Sequence, residues 1–232
     1  MRLPQEYLER MQKRLGEGFP AFLRAMEDAP VRGVRVNTLK IAPAALSALF
    51  PHLSAPVPWA EDGFYTDAEK VGSTIAHHAG LIYAQEPSAM CAAPLLGVRP
   101  GERVLDLCAA PGGKTAQLAA ALRGEGVLVS NEFVYDRARV LSQNAERLGI
   151  RNCAVVSADP ASLAACLPAY FDKILVDAPC SGEGMFRKDE DAVGEWSAEN
   201  VARCIARQRD ILDAAAQMLC GGGRLVYSTC TF

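Results

Sequence analysis

From about residue 100 onward, five short apolar runs are separated by helix-forming segments, and this alternation constrains the fold more than anything else in the chain. "RVLDL" (103–107) is followed by "GGKTAQLAAALR" (112–123), a segment of good helix formers. "GVLVSNE" comes next, and then "YDRARVLSQNAERLG", a helix ending on a glycine stop. "CAVVSAD" and "DKILVDAP" are the third and fourth strands. A long helix then begins at Ser197, which suits an N-cap, with Val201, Ile205, Gln208, Leu212, Ala215 and Leu219 on one stripe. "GGG" is expected to stop it before the fifth strand, "RLVYSTC". Runs that are apolar throughout belong to strands buried on both faces, so the expected class is α/β, a parallel sheet covered by helices.

Sheets of that kind hold ligands beyond the carboxyl ends of their strands. On that edge fall Asp106 through Lys114, Glu132, Asp159, Asp177 through Cys180, and Thr229 through Thr231. Almost every residue with chemistry to offer therefore sits on one rim.

Residues 1–72 read differently, as a small α+β module. They hold an amphipathic helix, the strand-like "GVRVNTL", a helix over "PAALSALF" and the proline-punctuated "PHLSAPVPWAEDGFY". "GSTIAHHAGLIYAQEPSAMCAAPLLGV" is expected to be a helical bridge, and 73–232 the main domain.

Composition narrows the class of function. The chain has 232 residues, half of them hydrophobic, enough for a substantial core. No apolar run approaches the roughly 18 residues that span a bilayer, and the polar N-terminus lacks a signal-peptide core. A cytoplasmic protein without a membrane partner is expected. The eight cysteines, at 91, 108, 153, 166, 180, 204, 220 and 230, show no C-x-x-C pair. His52, His77 and His78 complete no metal-ligand spacing with them, so no metal is expected. In a reducing compartment most such thiols are small buried hydrophobes, the reading given to Cys91, Cys153, Cys166, Cys204 and Cys220. A net charge of −3 is no global signature of nucleic-acid binding. An RNA partner would be held by local patches, for which "VRGVRVNTLK" and "FRKDE" are the candidates.

"LDLCAAPGGKT" ends in Gly-Lys-Thr, yet a P-loop needs a glycine five positions before its Gly-Lys pair, and Cys108 stands there. No dinucleotide G-x-G-x-x-G occurs either, which disfavours a nucleotide hydrolase. Glu132, 26 residues after Asp106, is placed to bond a ribose diol, and Asp159 to meet an adenine amino group. S-adenosylmethionine, a nucleoside without phosphates, suits this pattern; a plain glycine turn is the alternative.

The cysteines after strands four and five suggest what such a donor would serve. Carbon 5 of cytosine is a poor nucleophile until a thiolate adds at carbon 6. After methyl transfer, a base must take the carbon 5 proton so that the thiol can leave. A thiolate, a group for release and an acid on the ring are needed. Cys230, Cys180 and Asp177 could supply them.

"LDLCAAPGGKT", "SNEFVYDRA", "VDAPCSGEGMFRKD" and "YSTCTF" resemble, in order and spacing, the Sun-domain family of RNA cytosine-5 methyltransferases. The likeness is greatest to the bacterial ribosomal-RNA branch with an N-terminal RNA-binding module, where "RVNTLK" and "YAQEPSAM" also have counterparts. The resemblance implies a Rossmann-like, S-adenosylmethionine-dependent methyltransferase acting on RNA, with rRNA before tRNA. It implies Cys230 as nucleophile, Cys180 as the residue promoting release, and Asp177 on the cytosine with Lys114 close by. It further implies a donor pocket lined by Cys108, Ala109, Ala110, Pro111, Gly112, Gly113, Lys114, Glu132, Asp159 and Asp177. Arg187 and Lys188 would touch RNA phosphates.

Methyltransferases of this fold close their sheet with a sixth strand and an antiparallel seventh, and neither follows "RLVYSTC". The chain is therefore expected to be truncated at its C-terminus, and weakly active or inactive by itself. A non-catalytic RNA-binding or ribosome-assembly fragment is the competing reading.

Overall fold

Two sheets carry the structure, a computed structural model that describes residues 3–232. The first holds β1 (Gly33–Val36), β2 (Leu53–Pro56), β3 (Gly63–Thr66) and β4 (Ile82–Ala84) in the order β2-β3-β1-β4, with antiparallel pairing throughout. The second holds β5 (Arg103–Asp106), β6 (Val127–Asn131), β7 (Cys153–Val156), β8 (Phe171–Asp177) and β9 (Leu219–Ser228). Its order is β7-β6-β5-β8-β9, and all four of its pairings are parallel. This is an α/β, Rossmann-like doubly wound arrangement. From β5 the chain winds one way through β6 and β7, then returns to β8 on the opposite side. The crevice at that reversal is where such sheets bind ligands.

By its contacts the chain divides into two compact units: Val31–Asp177 with Ile211–Ser228, and Met1–Pro30 with Ala178–Asp210 and Thr229–Phe232. In the larger unit, helix Gly113–Leu122 packs Leu118, Ala119 and Leu122 against Val104, Leu128 and Leu175 of the parallel sheet, all nearly or fully buried. Each buried leucine there contributes about 2 kcal/mol of apolar burial. The antiparallel sheet has its own core around Val34, Val36, Leu46, Phe50 and Ile82. The smaller unit is built on aromatic packing. Tyr7 and Met11, one turn apart on helix Gln5–Leu15, bury against Phe186, Trp196 and Val201. The Tyr7 ring meets those of Phe186 and Trp196 edge-on, with centroids 5.1 and 5.4 Å away.

Three sequence expectations are corrected. The bridge after residue 72 is not simply helical, because Ile82–Ala84 is the strand β4 that completes the first sheet. Two turns of helix flank it, Ile75–His78 and Ala92–Leu96. The long helix spans Ala198–Met218 and ends before "GGG". Those glycines lie inside β9, where the register shifts between the pairs Phe171–Leu219 and Lys173–Arg224. Within the expected stripe, Val201, Gln208 and Ala215 are buried, but Ile205 is 44% exposed. The cap at Ser197 is as read, its Oγ accepting the Asn200 N–H at 3.0 Å.

Candidate active site

The larger unit gathers carboxylates at the ends of its strands. Asp106 closes β5 and is fully buried. Its Oδ2 accepts from the Thr115 hydroxyl at 2.7 Å, while Oδ1 has no hydrogen-bond partner. Burial pushes its carboxyl up to about 7, with the Thr115 hydrogen bond and Lys114 opposing. Glu132, just past β6, is buried and fixed by its own loop: Oε1 accepts the Val134 N–H at 3.0 Å and Oε2 lies 3.5 Å from Arg137. Asp177 closes β8 with both oxygens engaged, one by Lys114 Nζ at 2.6 Å and the other by the Ser228 hydroxyl at 2.7 Å. The Asp177–Ser228 register of β8 and β9 sets that second contact.

The glycine loop runs among these acids. Cys108 is half-buried, and its thiol is raised to about 12, first by burial and then by the charges of Asp106, Glu132 and Asp177. It stays protonated and is no nucleophile. Ala109 donates its N–H to the Asn131 carbonyl at 2.8 Å, and the carbonyls of Ala110 and Pro111 accept from Arg137 and Asn144. Gly112 sits at φ +110°, a conformation natural only to glycine, and turns the chain into the helix at Gly113. A rim of carboxylates and carbonyl acceptors suits a ligand that is cationic and rich in donors. The sulfonium, ammonium and ribose diol of S-adenosylmethionine fit that donor set. Asp159 is exposed at the end of the β7 loop, and its Oδ2 caps helix Pro160–Cys166 through the Ser162 N–H at 3.1 Å.

In the expected RNA patch "VRGVRVNTLK", Arg35, Asn37 and Lys40 are committed inside the larger unit, while Arg32 is exposed. Arg35 is 1% exposed and reaches Gln85, Asp62 and the Gly113 carbonyl at 3.1, 3.0 and 3.0 Å. Asn37 donates to the carbonyls of Gly80 and Leu148. Lys40 Nζ donates to those of Ala79 and Arg147, each at the C-terminal end of a helix, where a cation is favoured. The motif braces the antiparallel sheet against the glycine loop and the helix Tyr135–Leu148. In "FRKDE", Arg187 donates to the Ala25 carbonyl at 3.2 Å.

In the smaller unit the loop after β8 and the segment after β9 lie side by side. Cys180 and Cys230, 50 residues apart in sequence, have Cα atoms 6.3 Å apart and sulfurs in disulfide contact. Cys180 is half-buried and Cys230 exposed. Ser181 and Thr231 share a hydroxyl hydrogen bond at 3.1 Å. The Gly184 N–H donates to the Cys230 carbonyl at 2.8 Å.

A family described as 16S rRNA methyltransferase RsmB/F matches residues 93–232, and the N-terminal domain of 16S rRNA methyltransferase RsmF matches residues 3–87. The chain belongs to the RsmB/F family. Ribosomal RNA small subunit methyltransferase F of Escherichia coli is 44% identical over 98% of this chain and 50% of its own length. Its namesake from Vibrio vulnificus is 42% identical over 99% of this chain and 51% of its own length. The chain thus spans about half the length of the curated relatives it matches. A methyltransferase homolog protein from Pyrococcus horikoshii superposes with a TM-score of 0.80 at 33% identity, over 98% of this chain and 78% of that one. NSun6 from the same organism, solved with SFG, gives 0.87 at 22% identity, over 99% and 83%, and speaks for the fold. S-adenosylmethionine is the cofactor that goes with this RsmB/F fold.

Sequence reasoning passed over several of the groups that hold the site. Ser228 and Glu183 carry no local signal, and Arg35 lies in a stretch expected to be an RNA patch. Asp106 is expected on the ligand rim, without a role. The one signal for it was its place after a buried run.

Proposed function

We propose that the chain is the catalytic part of an enzyme that methylates carbon 5 of a cytidine in RNA, with ribosomal RNA as substrate, in the cytoplasm. One observation carries the reading: two cysteines from separate loops, each just past a strand of the parallel sheet, meet at a Cα separation of 6.3 Å. A lone cysteine at a strand end has a structural reading, but a pair from two strand ends needs a chemical one.

In this mechanism Cys230, reduced and deprotonated, adds to carbon 6 of the cytosine. Its sulfur–carbon bond forms as the ring double bond's electrons move toward carbon 5. Asp177, held by Lys114 and Ser228, acts in its protonated form: it gives a proton to ring nitrogen 3 as negative charge builds there, and takes that proton back when the thiolate leaves. Cys108 through Lys114, Glu132, Asp159 and Asp177 would hold S-adenosylmethionine, whose sulfonium would be the source of the methyl group for carbon 5. Cys180 then removes the carbon 5 proton. The electron pair restores the double bond and the Cys230 thiolate leaves. The target base must be out of its stack, which single-stranded or loop RNA makes least costly. Both thiols must be free, as a reducing cytoplasm keeps them.

The test uses labelled donor and both rRNA and tRNA transcripts with the full-length protein. Cys230→Ala is expected to abolish transfer and any covalent adduct. Cys180→Ala is expected to permit attack but trap a protein–RNA adduct. Turnover by Cys230→Ala, with no adduct from Cys180→Ala, would refute the assignment.

A further inference from the structure

Glu183 lies in the "PCSGEG" loop, and no role in the proposed reaction has been given to it. Its side chain is fully buried, which is costly for a carboxylate without compensation. Three donors from three segments compensate. Oε1 accepts from the Trp196 indole N–H at 2.9 Å and from Arg10 at 3.3 Å. Oε2 accepts the backbone N–H of Phe232 at 2.8 Å. Arg10 also donates to the Phe232 carbonyl at 3.2 Å, and Arg14 does so at 2.9 Å. Burial raises the Tyr7 hydroxyl to about 12, and the charge of Glu183 adds to the rise.

The neighbours of Glu183 hold the same segment. Ser181 grips the Thr231 hydroxyl, and the Gly184 N–H grips the Cys230 carbonyl. Loop residues 181, 183 and 184 thus hold residues 231, 232 and 230, which fixes the backbone that carries the Cys230 thiol beside Cys180. Gly184 is required for this approach: a Cβ there would lie 3.0 Å from Cys230 Cβ and 3.1 Å from its carbonyl oxygen.

We infer that Glu183 is the positioning residue for the Cys230 nucleophile, acting through the Phe232 N–H and anchored by Trp196 and Arg10. It touches no substrate. The inference rests on the reading of Cys230 as nucleophile, but its test does not depend on methylation. A glutamine at 183 keeps the shape but turns one acceptor into a donor, so the three donors cannot all be satisfied.

The experiment equilibrates the full-length protein in buffers of reduced and oxidised glutathione and quantifies the Cys180–Cys230 disulfide by peptide mapping. That measures how strongly the fold holds the two thiols together. Glu183→Gln is expected to lower the disulfide equilibrium constant about tenfold, and kcat for RNA methylation by a similar factor, since reactivity tracks placement. KM for RNA and for the donor is expected to stay within about twofold, a split that general loss of structure would not give. Gly184→Ala is expected to do the same by displacing Cys230 without removing any acceptor, which covers the case in which Glu183→Gln fails to fold. Glu183→Gln with wild-type disulfide constant and kcat overturns the inference. A lowered disulfide constant in a protein whose wild type methylates no RNA upholds the positioning role and refutes the catalytic reading instead.

Discussion

The acids of the larger unit and the thiols of the smaller one are held by different means. Asp106 and Asp177 are the last residues of β5 and β8, and Glu132 follows β6, so a hydrogen-bonded parallel ladder fixes their spacing. Cys180 and Cys230 lie just beyond the ends of β8 and β9, and hydrogen bonds outside any ladder stitch their loops together one residue at a time. A pocket that binds a donor needs a rigid frame and nothing else. A thiol that must attack a ring, remain bonded to it and then leave needs a segment fixed in place yet free of the ladder. On the proposed reading, the smaller unit meets that need through the buried Glu183 carboxylate, where the larger uses a sheet.

The comparison is broken most severely at Arg35. It braces the glycine loop from within the larger unit, and burial lowers its guanidinium while Asp62 works the other way. Arg35→Met leaves Asp62, Gln85 and the Gly113 carbonyl short of a donor. Breaking one side of a buried ion pair costs about 3–5 kcal/mol. Denaturant melts are expected to show that loss, and donor affinity by calorimetry is expected to fall with it. The glutathione equilibrium of Cys180 with Cys230 is expected to hold within about twofold, as near-additivity of distant sites implies. A collapse of both together would mean that the two regions are one structural element.

The parallel sheet and its acids were legible because continuous apolar runs identify buried strands, and buried strands order their C-terminal ends along one rim. Asp177 could be placed from "DKILVDAP" alone. The stitches could not. Glu183 satisfies donors from residues 10, 196 and 232, and no local pattern announces contacts at such separations. Arg35 misled for the same reason: an arginine between valines reads as a solvated cation until Asp62 and Gly113 are seen around it. Ile205 followed the helical period but is solvent-exposed, because periodicity tells which residues share a stripe and not how far along the stripe the packing continues.

A smaller effect separates the acids from one another. Burial disfavours the charge of Asp106, so its folded value, about 7, stands well above that of an unfolded chain and it is neutral below that pH. Its contribution to stability is full below pH 4 and is lost as pH rises through about 7. Asp106→Asn removes that dependence. Between pH 5 and pH 8 wild type is expected to lose about 2 kcal/mol that the variant does not, by proton linkage. Melts at those two pH values check it, and parallel slopes for the two proteins would show that Asp106 is ionised throughout.

The smallest expected effect lies at Ser228, which ends the ladder of the larger unit. Its hydroxyl holds one oxygen of Asp177 at 2.7 Å, and Lys114 holds the other at 2.6 Å. Asp177 is 38% exposed at its side chain, so water can replace part of what the serine gives. Ser228→Ala is therefore expected to cost about 1 kcal/mol in stability, the worth of an ordinary hydrogen bond. If Asp177 does bond the cytosine ring, the loss appears chiefly in kcat, about threefold, because an acid with one tether instead of two samples more than one direction. Lys114→Met in the same assay is expected to cost more, since it removes a charge as well as a hydrogen bond. A Ser228→Ala variant slower than Lys114→Met would invert that order, and would make β9, not the glycine-loop helix, the element that aims Asp177.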